Sequence, residues 1–138
     1  MRQTLISMAA AALFAVAGNA SAADQPPLKI GFITDMSGLY ADIDGQGGLE
    51  AIKMAVADFG GTVLGRKIEI VSADHQNKAD IAASKTREWI DQNGVNVIIG
   101  GTNSGTALAT AKVAAEKKRI YINNGAGTSA LTNEQCSP

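Results

Sequence analysis

Cysteine, histidine and aromatic residues are scarce in this sequence. One cysteine in 138 residues, Cys136, excludes an internal disulfide framework and a cysteine-based zinc site within the chain. One histidine, His75, excludes a histidine-rich metal cluster. At 4% aromatic, the chain has too few rings for a platform on which nucleobases stack. It has no excess of either charge: 12 basic residues against 13 acidic give a net charge of −1, and no electrostatic footprint for nucleic acid. What is present is 46% hydrophobic and 18% charged, the balance of a folded domain rather than a disordered polyelectrolyte. By length alone this is one ordinary domain.

The first residues follow a different pattern. Arg2 is the only charge before Asp24, and an apolar stretch runs over 5–17. It ends in Gly18, Asn19 and the small residues Ala20, Ser21 and Ala22. A positive start, a short apolar core and small residues before a cut mark residues 1–22 as a secretory signal peptide, cleaved after Ala22. The apolar stretch falls short of the ~20 residues that span a bilayer. No cysteine lies near the cut, so a lipoprotein anchor is not expected. The mature chain, 23–138, is expected to be exported, and soluble once processed.

Residues 28–34 are apolar and rich in β-formers, bounded by Pro27 and Asp35, and predict a buried strand. A glycine-rich loop is expected over 35–48. Leu49, Ile52, Val56 and Phe59 then recur at helical spacing, with Gly60 and Gly61 as the stop. A second strand is predicted over 67–73. A helix follows to about Gln92, with Asn77 as its cap and Ile81, Trp89 and Ile90 as core. A third strand is predicted over 95–99, an alanine-rich helix over 106–118 with Leu108, Ala111 and Ala115 inward, and a fourth strand over 119–123. Strands alternating with helices in this way predict an α/β fold, an open parallel sheet with helices on both faces.

In such a sheet, ligands sit beyond the carboxyl ends of the strands. Three loops reach that edge: 35–40, 101–106 and 124–129. All carry hydroxyls and glycine, so backbone and side chain both present donors to a small molecule. The second also opens a helix, whose free N–H groups suit a carboxylate. The same residue types serve ordinary turns and caps, so the loops specify a small-ligand pocket and not its ligand.

Sharper motifs fail. Gly45, Gly47 and Gly48 approach a dinucleotide fingerprint, but its last glycine is Glu50. No phosphate-binding G-x-x-x-x-G-K-[ST] string occurs. Asp42 and Asp44 do not match a calcium loop and read as exposed turn carboxylates. His75 reads as a solvated loop residue. Ser37, Ser104 and Ser129 lack a nucleophile-elbow context and a histidine partner. No catalytic residue, metal site or cofactor is expected.

Four segments together carry a resemblance. They are 30–61 (IGFITDMSGLYADIDGQGGLEAIKMAVADFGG), 63–80 (VLGRKIEIVSADHQNKAD), 95–109 (VNVIIGGTNSGTALA) and 125–138 (GAGTSALTNEQCSP). With the signal peptide, they resemble the periplasmic solute-binding proteins of branched-chain amino acid-type ABC transporters, the leucine/isoleucine/valine-binding family with the type I periplasmic binding fold. The resemblance implies two α/β lobes on a hinge that close over a solute, then dock on an inner-membrane permease without doing chemistry. It implies that 23–138 is the N-terminal part of the first lobe, the rest of the receptor being absent from this chain. It carries over a carboxylate-gripping loop onto Thr102, Asn103 and Ser104, and a second grip onto Gly125, Ala126, Gly127 and Thr128. The first loop matches through Ser37 and Tyr40. The expected solute is a branched-chain or related amino acid. The ending over 125–138 also resembles a subgroup that includes binders of aromatic carboxylic acids. A rival of another class is an exported flavodoxin-like hydrolase, which needs a base that His75 is poorly placed to supply. Nucleic acid is not expected as a partner.

Overall fold

The computed structural model describes residues 25–137, and the signal peptide expected over 1–22 lies outside them. The order is β1 (Leu28–Thr34), α1 (Ala41–Asp44), α2 (Gln46–Asp58), β2 (Thr62–Val63), β3 (Arg66–Asp74), α3 (Ala79–Gln92), β4 (Val97–Gly100), α4 (Ser104–Glu116) and β5 (Ile120–Asn123), with a 3-10 turn at Ser129–Leu131. The strands form one sheet in the order β2-β3-β1-β4-β5. Every pairing is parallel except that of β2 with β3.

The chain steps from β1 to β3 in one direction, then back across β1 to β4 and on to β5 in the other. Right-handed crossovers place the helices of opposite steps on opposite faces. The contacts agree. A Cβ built on Gly48 of α2 would press on the Phe32 ring, and one built on Gly31 would press on Trp89 of α3. Phe32 and Gly31 are successive residues of β1 and point to opposite sides. The α/β fold with helices on both faces is therefore what forms.

The densest packing is on the α3 and α4 side. Ile33, Val95 and Ile98 meet Ala82, Trp89, Ile90, Val113 and Ala114 there, all buried. Gly31 lacks a side chain where Trp89 lies closest, which lets α3 approach the sheet.

Several elements depart from expectation. Residues 41–44 are a helical turn and α2 starts at Gln46, so the glycines at 47 and 48 are helical rather than loop. β2 is two residues long and leaves no periodic signal. The cap of α3 is Lys78, without a side-chain bond. Asn77 is left-handed at φ 56° beside Gln76 at 52°, a turn that short polar side chains tolerate. The buried residues of α4 are Thr106, Ala107, Thr110, Val113 and Ala114, while Leu108, Ala111 and Ala115 are half-buried. A helix of alanine and threonine has no bulky stripe to mark its inner face. Trp89 is core, as its spacing indicates. Among the described residues no helix is long and apolar enough to cross a membrane.

Candidate functional site

The strand order reverses between β1 and β4. Their following loops leave toward opposite faces, opening a crevice where ligands of such sheets collect. The loop after β5 stands next to it, so all three candidate loops share this edge.

The first loop is held by carboxylates. Asp35 is fully buried and accepts the N–H groups of Gly38 (2.9 Å) and Tyr40 (3.0 Å). A Cβ on Gly38 would meet that carboxylate at 2.7 Å, so glycine is required for this tight turn. Asp74, at the end of β3, accepts the Met36 N–H (3.0 Å), the Gln76 N–H (2.7 Å) and the Ser37 hydroxyl (2.5 Å). Burial pushes the Asp74 carboxyl up, but the bonds from Ser37, Met36 and Gln76 outweigh it and hold the group below its ordinary value. Ser37 is exposed and Tyr40 half-buried.

Asp44, in the helical turn that follows the first loop, ties the end of β1 to the third loop. It is buried, against the exposed position expected for it, because the turn of α1 folds it under the edge. There it accepts the Thr34 hydroxyl (2.5 Å) and the Asn124 side-chain amide (3.4 Å).

Gly100, the last residue of β4, and Gly101, the first of the second loop, stand at φ 143° and 111°. Side chains there would collide with the Ile33 carbonyl and the Tyr121 hydroxyl, respectively. Tyr121 donates to the Gly100 carbonyl at 2.9 Å, and its burial, with the Asp44 charge, pushes its ionisation upward. Asn103 caps α4 by accepting the Thr106 N–H at 3.0 Å. The first N–H groups of a helix have no intrahelical partner, so the helix itself leaves those of Ser104 and Gly105 unpaired. Thr102 Oγ1 is buried with no partner among the described residues.

The third loop is folded by Asn123, whose side-chain oxygen accepts the N–H groups of Gly125 and Ala126, both at 2.9 Å. Its Nδ2 is buried without a partner among the described residues. Thr128 accepts the Ala130 N–H (3.2 Å) and so caps the 3-10 turn. A Cβ on Gly125 would lie 3.8 Å from Thr102 Oγ1, so the second and third loops touch. Space is open beside Gly127.

Thr102 and Gly125 are thus brought together, with Asn103 and Ser104 at the head of α4. Ser37 and Tyr40 belong to a separate, carboxylate-held loop. Asp44, Asp74 and Asn123 escape the sequence reading because their partners are distant or look like ordinary turn residues.

His75 is 1% exposed, not solvated as expected. Its backbone N–H donates to the Thr34 carbonyl, and its Nδ1 accepts the Asn77 N–H at 3.0 Å. Burial lowers its pKa although Asp35, Asp74 and Asp44 pull the other way. It makes no hydrogen bond to Ser37, Ser104 or Ser129, so no nucleophile–base pair forms here. A groove of about 760 Å³ opens elsewhere, between α4, β5 and the C-terminal segment, lined by Ala115, Ile120, Leu131 and Gln135. None of the candidate ligand residues lines it. Cys136 is exposed and free.

The family model and the solved structures agree with one another. The family model described as "Periplasmic binding protein" matches residues 27–138. Of the solved structures, a periplasmic binding protein from Burkholderia mallei is 74% identical, covering 81% of this chain and 30% of its own at a TM-score of 0.80. A branched chain amino acid ABC transporter periplasmic ligand-binding protein from Burkholderia xenovorans LB400 is 40% identical, covering 80% and 29% at a TM-score of 0.77. A solute binding protein of an ABC transporter from Rhodopseudomonas palustris BisB5, solved with 3,4-dihydroxy benzoic acid, is 37% identical, covering 81% and 30% at 0.74. The chain thus spans about 30% of the length of these proteins. No curated protein sequence matches it.

Proposed function

Because the chain belongs to the periplasmic binding protein family, we propose that residues 23–138 form part of the first lobe of an ABC-transporter receptor for a small carboxylate-bearing solute. The observation that carries the reading is the meeting of the second and third loops. The N–H groups of Ser104 and Gly105, left unpaired by the helix at the positive end of α4, suit a carboxylate. The unpartnered Thr102 hydroxyl lies beside Gly125, and the third loop adds Thr128. The residue types fit capture without chemistry: hydroxyls and backbone N–H groups form the grips, and the one histidine is buried. The family is one of solute binders and not of enzymes. In this reading the leader over 1–22 is cleaved, the mature protein works in the periplasm, and the loaded receptor delivers its solute to a membrane permease.

The leading solute is a branched-chain or related amino acid, supported by the likeness to the Burkholderia xenovorans protein. An aromatic carboxylic acid is the second reading, favoured by the dihydroxybenzoate-bound relative. Titration calorimetry of the full-length mature protein with L-isoleucine and with 3,4-dihydroxybenzoate separates them. Saturable binding of one acid without turnover is the expected result. Ser104→Ala keeps the backbone N–H and removes only the hydroxyl, and is expected to weaken binding by about 1–3 kcal/mol through the loss of the hydroxyl's charge-assisted bond. An unchanged affinity removes the Ser104 hydroxyl from the site, and hydrolysis of a generic ester panel by the same protein overturns the reading altogether.

A further inference from the structure

Asp74 stands at the carboxyl end of β3, yet two of its three bonds go to the loop after β1. Met36 and Ser37 lie 38 and 37 residues away in sequence, so these are tertiary contacts. The third bond, to the Gln76 N–H, fixes the carboxylate from its own side. Both oxygens are engaged, Oδ1 by two backbone donors and Oδ2 by the Ser37 hydroxyl.

A serine hydroxyl has one proton to donate. That of Ser37 goes to a carboxylate at 2.5 Å, a short charge-assisted bond. It is therefore not offered to the carboxylate of a solute. An incoming anion at Ser37 would also face the Asp74 charge directly. Asp35, fully buried, holds the Gly38 and Tyr40 N–H groups in the same way, so four of the first loop's donors are spent on carboxylates.

We propose that Asp74 is a positioning residue that latches the first ligand loop to the sheet edge, and that Ser37 acts through this latch rather than by touching solute. The inference rests on the ligand-loop reading above. It assigns the solute carboxylate to the second and third loops and leaves the first loop a steric part, carried by Tyr40. The latch makes the loop pre-organised, which lowers the ordering cost of binding.

A double-mutant cycle tests it in the full-length mature protein, with Ser37→Ala, Asp74→Ala and the pair. Affinity for L-isoleucine and 3,4-dihydroxybenzoate is read by calorimetry, and amide hydrogen exchange is read over residues 36–40. Asp74→Ala is expected to speed that exchange and to weaken binding about tenfold. Ser37→Ala is expected to matter in the native background and to have no further effect beside Asp74→Ala. An equal loss from Ser37→Ala in both backgrounds means direct contact with solute and overturns the proposal. Unchanged exchange in Asp74→Ala overturns it as well. If neither acid binds, the ligand reading fails, and the exchange measurement still decides whether the latch exists. Asp74→Asn serves if the alanine variant does not fold: it keeps the shape, and faster exchange at Met36 and Ser37 is again the supporting result.

Discussion

The two faces of the sheet are unequally covered. On one, α3 and α4 bury Ile33, Val95 and Ile98 with Trp89 and Val113. On the other, α2 shields Phe32 with Leu49, while Leu28, Ile30, Ile68, Ile70, Val97 and Ile99 are half-buried. Ile120 and Ile122, in register on β5, are 62% and 49% exposed. The difference follows from crossover direction: two steps go one way and give two helices, one step goes the other way and gives one. Stability is concentrated on the first face, and the edge that carries the three loops hangs from it through β1 and β4.

Substitutions on the two faces should therefore differ sharply. Trp89→Ala should have the largest effect, about 3–5 kcal/mol in urea denaturation of the mature protein. A loss under about 1 kcal/mol would mean that the α3 face is not the main core. Gly31→Ala places a methyl 2.7 Å from the Trp89 ring, and overpacking there should cost about 1–3 kcal/mol. Combining the two should relieve that clash, so additive losses would contradict the packing.

Acidification ranks next. A histidine held neutral by burial has a folded pKa below its unfolded value near 6.5, so the unfolded chain binds the proton more readily. Its contribution is present above about pH 6.5 and is lost as pH falls through the folded pKa. Asp74, also below its ordinary value near 3.9, loses its contribution at still lower pH. Urea midpoints should fall as pH drops from 7.5 to 5, and His75→Gln should flatten that slope. A flat native profile would contradict the burial of His75. Asn103→Ala, which uncaps α4, should cost about 1 kcal/mol by the same measurement. The smallest effect belongs to the open face: Ile122→Thr should stay within about 0.5 kcal/mol. A loss near that of Trp89→Ala would show that this face is covered in the mature protein.

The same contrast governs what the sequence makes legible. Continuous apolar runs mark β1 and β4, and regular spacing marks α2 and α3. The edge where the three loops gather follows from strand–helix alternation. Two-residue β2 and four-residue α1 are too short to carry a period. The inner face of α4 is hidden because methyl groups and threonines cover the helix on several sides. The burial of His75 and Asp44 depends on elements folding over them, which a local pattern does not encode. The bonds from Ser37 to Asp74 and from Asn124 to Asp44 join residues 37 and 80 apart, a separation that no spacing rule reaches.

The adjacency of β1, β4 and β5 has one more consequence. Neighbouring strands stand about 4.8 Å apart, so the three loops fan across roughly 10 Å, two strand gaps. The sheet thereby acts as a ruler. In the proposed receptor, a solute that touched every loop at once would be one small molecule long, a limit set by the backbone spacing before any side chain reads the ligand.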